Sequence, residues 1–244
     1  MAAVNEFGLP VGAALPGWKA PPHPSRSVLE GRYCRLEPID ADRHAAELDA
    51  ANRLEADDRG WTYMANGPYA TAADYRAWVE TMQTRSDPQF YAIIDLASGK
   101  AGGVASYMRI DPANGCIEVG GIKLTPLVSR KPAMTEAMYL MMKNAFDLGY
   151  RRYEWKCDAL NAPSRQAARR FGFSYEGIFE QAVVYKGRNR DTAWFSITDR
   201  EWPAIRAAQE QWLAPQNFDA QGRQKTSLSA LTAPLLRQAR TSKA

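Results

Sequence analysis

The segment from residue 150 to residue 173, YRRYEWKCDALNAPSRQAARRFGF, constrains the fold more than any other part of the chain. Its first half alternates with period two. Tyr153, Trp155 and Cys157 fall on one face of a strand, and Glu154, Lys156 and Asp158 on the other. Asn161 then stands where a helix is N-capped, with Pro163 just inside its start. The helix continues through Ala167, Ala168, Arg169 and Arg170, and Gly172 closes it before a new strand opens at Phe173. This order places Asn161 and Ser164 at the carboxyl end of the strand, where ligands bind in open α/β sheets.

The rest of the chain supplies the frame. Residues 1–28 contain Pro10, Pro16, Pro21, Pro22 and Pro24 and read as an extended arm, lying across the surface or on a partner subunit. A strand is expected over 32–37, and Asp40 caps a helix to about residue 53. An aromatic loop with Trp61, Tyr63 and Tyr69 leads to a second helix that begins at Thr71 or Asp74. Strands are expected over 90–96, 104–110 and 116–124, then an amphipathic helix over 134–148. After the opening segment, residues 175–185 and 192–198 form an antiparallel pair, and a helix covers 202–213. The fold class is therefore α/β, with a mixed (α+β) sheet and helices on both faces. No linker interrupts residues 29–214, so they form a single domain, and 215–244 read as a polar, flexible tail.

Composition excludes several classes. No apolar run in the 244 residues approaches the roughly 20 needed to span a membrane. The stretch MAAVNEFGLPVG lacks a basic region followed by an apolar core, so it is not read as a signal peptide. Cys34, Cys116 and Cys157 are widely spaced in strand-like runs, which fits reduced thiols in a cytoplasmic protein. With only His23 and His44 besides, no metal site is expected. The net charge of +4 resides wholly in residues 219–244, so the body is near neutral and a nucleic-acid partner is not expected.

Asn-x-x-Ser followed by Arg-x-Gly-Phe resembles the last block of the GNAT superfamily of acetyl-CoA-dependent N-acetyltransferases. The likeness spans about residues 29–212 and is of the RimJ/RimL type, which acetylates protein N-termini or small amines. The segments EWKCDALNAPS, KGRNRDTAWFS and NEFGLPVG resemble one branch of that group. The resemblance implies a mostly antiparallel sheet with one splayed parallel strand pair, acetyl-CoA as co-substrate and an amine as acceptor.

It also implies roles for particular residues. Val119, Gly120, Gly121 and Ile122 would offer backbone groups to the pantetheine arm; the glycine pair alone could equally relieve strand crowding. The loop TPLVSRKPAMTEA would cradle the pyrophosphate at a helix N-terminus, through Arg130, Lys131, Ala133, Met134 and Thr135. The family pattern there is Arg/Gln-x-x-Gly-x-Gly/Ala. Counted from Arg130, Ala133 and Thr135 fill the glycine positions; the other register uses Ser129, Pro132 and Met134. Neither has a glycine, and the charges of Arg130 and Lys131 would compensate. Asn161 would bond the pantetheine arm, and Ser164 would protonate the leaving thiolate, although both also suit helix capping.

Glu118 is the first candidate for the general base and Glu176 the second. Trp61, Tyr63, Tyr69 and Tyr185 are candidates for the acceptor end or for the core. Arg169 and Arg170 read as solvated, Arg165 as a reach toward the adenosine 3′-phosphate, and Lys186, Arg188 and Arg190 as a basic hairpin tip. The competing function is a non-catalytic binder of CoA or nucleic acid on the same fold. The Pro-rich arm is compatible with a homodimer.

Overall fold

The computed structural model describes residues 3–237. β1 (Ala3–Val4) and β2 (Pro10–Val11) form a small exposed hairpin, and β3 (Leu29–Glu30) and β4 (Cys34–Pro38) open the main sheet. α1 (Ala41–Asn52) and α2 (Ala72–Gln83) precede β5 (Gln89–Asp95), β6 (Lys100–Asp111) and β7 (Cys116–Leu124). Then come α3 (Pro132–Asp147), β8 (Arg152–Asp158), α4 (Ala162–Arg170), β9 (Ser174–Tyr185) and β10 (Arg188–Thr198). α5 (Trp202–Leu213) and α6 (Leu228–Thr232) complete the order. The main sheet runs β3-β4-β5-β6-β7-β8-β10-β9, and every neighbouring pair is antiparallel except β7 with β8.

Local chemistry sets the helix starts. Asp40 accepts from Arg43 N–H at the start of α1. Thr71 and Asp74 form a reciprocal capping box on α2, so Thr71 is the cap and Asp74 its third helical residue. Asn161 caps α4 by accepting from Ser164 N–H at 3.1 Å.

Alternation along β5 then assigns the layers. Tyr91 and Ile93 pack on the side of α3, while Phe90, Ala92 and Ile94 pack on the side of α1 and α2. The first face holds the larger core, in which Ile117, Val119, Tyr153 and Trp155 meet Met138, Met141 and Met142. Helices thus cover both faces of the sheet.

Two expectations change. The strand expected over 32–37 begins only at Cys34, because Glu136 of α3 takes the backbone N–H groups of Arg32, Tyr33 and Cys34 as the chain turns. The tail expected from residue 215 is packed as far as 237, while 238–244 lie outside the described residues. Leu228 is fully buried, Thr232 donates to Arg170 C=O at 3.0 Å, and Arg237 pairs with Glu201 at 2.8 Å. Leu231 and Leu235 pack beside Leu228, but the helix that carries the contact has only five residues, too few for a periodicity to read. The Pro-rich arm runs along this chain's own surface after its hairpin, with Pro22 C=O accepting from Tyr150 and Pro24 C=O from Gln89. Among the described residues no helix is long and apolar enough to cross a membrane.

Candidate active site

The parallel pair opens part-way along its length. β7 and β8 are in register from Cys116 with Arg152 to Val119 with Trp155, and pairing stops there although both strands continue. The next residues of β7 are Gly120 and Gly121. Gly121 has φ 60° and supports a bulge in the pairing with β6. A Cβ on Gly120 would fall 2.3 Å from Met108 Sδ. These glycines bend β7 away from β8 and leave its backbone free toward the gap.

A cleft of about 410 Å³ occupies this gap, lined by Glu118, Gly120, Ile122, Lys156, Asp158 and Ser164 among others. Val119 and Gly121 line it too, as does Asn161. The polar face of β8 is thus turned into a cleft and away from bulk water. Glu118 is 2% exposed. Its Oε1 accepts from Arg109 Nη1 at 2.7 Å, and its Oε2 lies 2.9 Å from Lys156 Nζ. Burial pushes the Glu118 carboxyl above its ordinary pKa, and the charges of Lys156 and Arg109 oppose this only in part. Asp158, also buried, accepts from Tyr185 Oη at 2.8 Å and from Leu160 N–H at 2.8 Å. Burial and the Asp158 carboxylate together push the Tyr185 phenol up to about 12.

Ser164 faces the cleft from the first turn of α4 and accepts from Trp155 Nε1 at 3.0 Å. The Cys157 thiol lies beside it, pushed up by burial and so unsuited to act as a nucleophile.

A second cavity, about 600 Å³, lies where the end of β7, the start of α3 and the end of α4 meet. It is lined by Arg130, Lys131, Thr135, Arg170 and Trp212. α3 begins at Pro132 with Lys131 as N-cap and no side-chain capping bond, so its first-turn N–H groups face the cavity without a side-chain acceptor. Arg130 adopts φ 60°, the left-handed conformation that a loop glycine would otherwise supply. Met134 and Thr135 line the cavity, whereas the Ala133 side chain is buried in the core. Across from the helix start, Arg170 Nη2 donates to Thr135 Oγ1 at 3.1 Å. Arg170 has no carboxylate partner among the described residues, and burial lowers its guanidinium pKa unopposed. A cation without a carboxylate partner beside a helix N-terminus that no side chain caps suits the phosphates of CoA.

Other candidates fall elsewhere. Glu176 lies outside the cleft, held by Arg152 at 2.5 Å and Ser196 at 2.7 Å, and these contacts lower its carboxyl to about 2. Such a carboxylate is a weak base, and it lies away from the cleft that Glu118 lines. It sits on β9, which β10 separates from β8. Trp61 and Tyr69 pack with Tyr75 and Trp78 in the smaller core, whereas Tyr63 reaches Leu160 C=O at 3.3 Å and lines the cleft. Arg165 braces the turn after β8 by donating to Ala159 C=O. Lys156 and Asp158 were given no role from sequence, and Arg170 and Arg190, expected as a solvated helix residue and part of a basic hairpin tip, line the two cavities instead. The alternation of β8 already put Lys156 and Asp158 on one face, but nothing in it said that the face was enclosed.

The acetyltransferase (GNAT) domain model matches residues 34–174. A GCN5-related N-acetyltransferase from Brucella melitensis is 52% identical, over 90% of this chain and 100% of that one, with a TM-score of 0.88. A probable acetyltransferase of the GNAT family from Chromobacterium violaceum is 39% identical over 80% and 98%, with a TM-score of 0.75. The ribosomal L7/L12 α-N-protein acetyltransferase RimL is 21% identical over 70% and 94%, with a TM-score of 0.58, a likeness of fold alone. No curated protein matches the sequence. The chain belongs to the GNAT family of N-acetyltransferases, whose co-substrate is acetyl-CoA.

Proposed function

We propose that this enzyme acetylates a primary amine, of a protein N-terminus or a small molecule, by direct attack assisted by Glu118 as general base. The observation that carries the reading is the placement of the Glu118 carboxylate, raised in pKa by burial, where β7 and β8 stop pairing. When bound, acetyl-CoA supplies a thioester, whose carbonyl an amine attacks without a protein nucleophile. The chain's residues then have three tasks.

The first is to hold the co-substrate. Arg170, Arg130, Lys131 and the first turn of α3 receive phosphates, while Val119–Ile122 and Asn161 offer polar groups to the pantetheine amides. The second is to take a proton. Glu118 accepts the one the ammonium gives up, and Arg109 and Lys156 hold its carboxylate in place. The third is to return a proton to the departing sulfur. Ser164 is suited to this, because its Oγ faces the cleft and accepts from Trp155, which leaves its O–H, beside the Cys157 thiol, as a donor. A binder without catalysis would need no carboxylate here, yet Glu118 and Asp158 both line the cleft. The RimJ/RimL type of acceptor and a cytoplasmic setting, with Cys34, Cys116 and Cys157 as free thiols, complete the reading.

The test is a thiol-release assay with acetyl-CoA across amines of differing charge and size. Amine-dependent release of CoA, with mass increase of the amine by one acetyl group, is expected. Tight CoA binding with no release for any amine would leave only a binding protein.

A further inference from the structure

The cleft beside Glu118 has an unbalanced charge. Three cations line it, Arg109, Lys156 and Arg190, against two carboxylates, Glu118 and Asp158. Arg109 and Lys156 are both committed to Glu118. Asp158 is engaged by Tyr185 and by backbone, and Tyr185 stays neutral at physiological pH. Arg190 is different. It reaches the cleft from β10, its Cζ 5.7 Å from the Tyr185 ring centroid. It forms no ion pair among the described residues, and its buried Nε has no hydrogen-bond partner there. The neighbouring Asp191 carboxylate is taken by Gln181 N–H and Asn189 Nδ2. An arginine fork facing a partly dry cleft without an anion is costly unless a ligand supplies one.

We infer that the acceptor amine carries a carboxylate, as a free amino acid does, and that Arg190 binds this group while the ammonium end turns toward Glu118. The inference rests on the acetyl-transfer reading above and narrows its acceptor. The cleft of about 410 Å³ also has to take the end of the pantetheine arm, and the space left suits a small amine. Its surplus of cations opposes polyamines and other polycations, which need a surplus of carboxylates. Arg190 would be a specificity residue, reading the acid group and leaving the proton transfer to Glu118.

The experiment compares thiol release from acetyl-CoA, using the full chain, for free amino acids, their carboxamides and spermidine. The wild type should favour the acid over its carboxamide by about tenfold or more in kcat/KM, the scale of one charge-assisted hydrogen bond. Arg190→Gln should bring that ratio close to one, and Arg190→Lys should restore part of it as a point charge without the fork. Because the readout is a ratio within one variant, a general loss of folded protein does not mimic it. An unchanged ratio in Arg190→Gln would overturn the inference. So would carboxamides or spermidine matching the acids in the wild type, a result that leaves acetyl transfer itself standing. Absence of release with every amine would contradict both readings.

Discussion

Lys156 Nζ lies 2.9 Å from Glu118 Oε2 and 2.8 Å from Glu154 Oε2, so one buried ammonium serves two carboxylates. Glu118 and Glu154 are direct partners across the parallel pair, an arrangement that like charges alone would destabilise. Lys156, with Arg109 on one side and Arg152 on the other, makes it tolerable. The same ammonium holds the proposed base below the pKa that burial alone would give it.

Lys156→Met should therefore raise the Glu118 pKa further. A base works only when deprotonated, so the ascending limb of the pH–rate profile should move to higher pH. The variant should also lose about 3 kcal/mol of stability, because two buried carboxylates lose a partner. Lys156→Arg, which keeps the charge, should move the limb far less. A profile in Lys156→Met superimposable on the wild type would separate Lys156 from the base.

Arg170→Gln should weaken acetyl-CoA binding by about tenfold or more, read by titration calorimetry, since it removes the unpaired cation beside the α3 N-terminus. The wild-type affinity should fall with added salt more steeply than that of the variant. Equal affinities would place the phosphates elsewhere.

Deleting residues 226–244 should lower the melting temperature by about 5 °C, given that burying one leucine contributes about 2 kcal/mol. Leu228 is fully buried, and Thr232 and Arg237 bond to α4, β10 and Glu201. An unchanged melting temperature would mean that this packing contributes nothing.

Glu176 gives a pH signature in stability. Its folded pKa of about 2 lies below the ordinary 4.5, mainly because Arg152 bonds it. A depressed carboxylate stabilises the fold above its unfolded pKa, and that contribution is lost as pH falls toward 2. The melting-temperature gap between wild type and Glu176→Gln should be full above about pH 4.5 and close by about pH 2. A gap independent of pH would show that Glu176 acts by packing alone.

Much of this was legible in the chain. Period-two alternation at 153–158 and the Asn161 cap gave a strand, a turn and a helix start that the structure reproduces. Gly120-Gly121 marked a distorted strand: Gly121 takes a positive φ that few other residues tolerate, and Gly120 leaves room for Met108. Long-range pairing was less readable. Glu118 and Glu176 look alike as strand glutamates, and only the sheet order puts one beside the gap and the other beyond β10. Arg170 ends a polar helix and reads as solvated, until folding brings Thr135 and Trp212 against it. The anchor at Leu228, with Leu231 and Leu235 partly buried beside it, starts a helix of only five residues, too short for a periodic signal.

The pH–rate profile of wild type and Glu118→Gln, measured beside their affinity for acetyl-CoA, tests the central claim most directly. Glutamine keeps the shape of the side chain and removes the proton acceptor. Turnover should fall by about 100-fold or more, with the ascending limb flattened and acetyl-CoA affinity close to wild type. Near-normal turnover with an unchanged profile would contradict the assignment of Glu118 as the base.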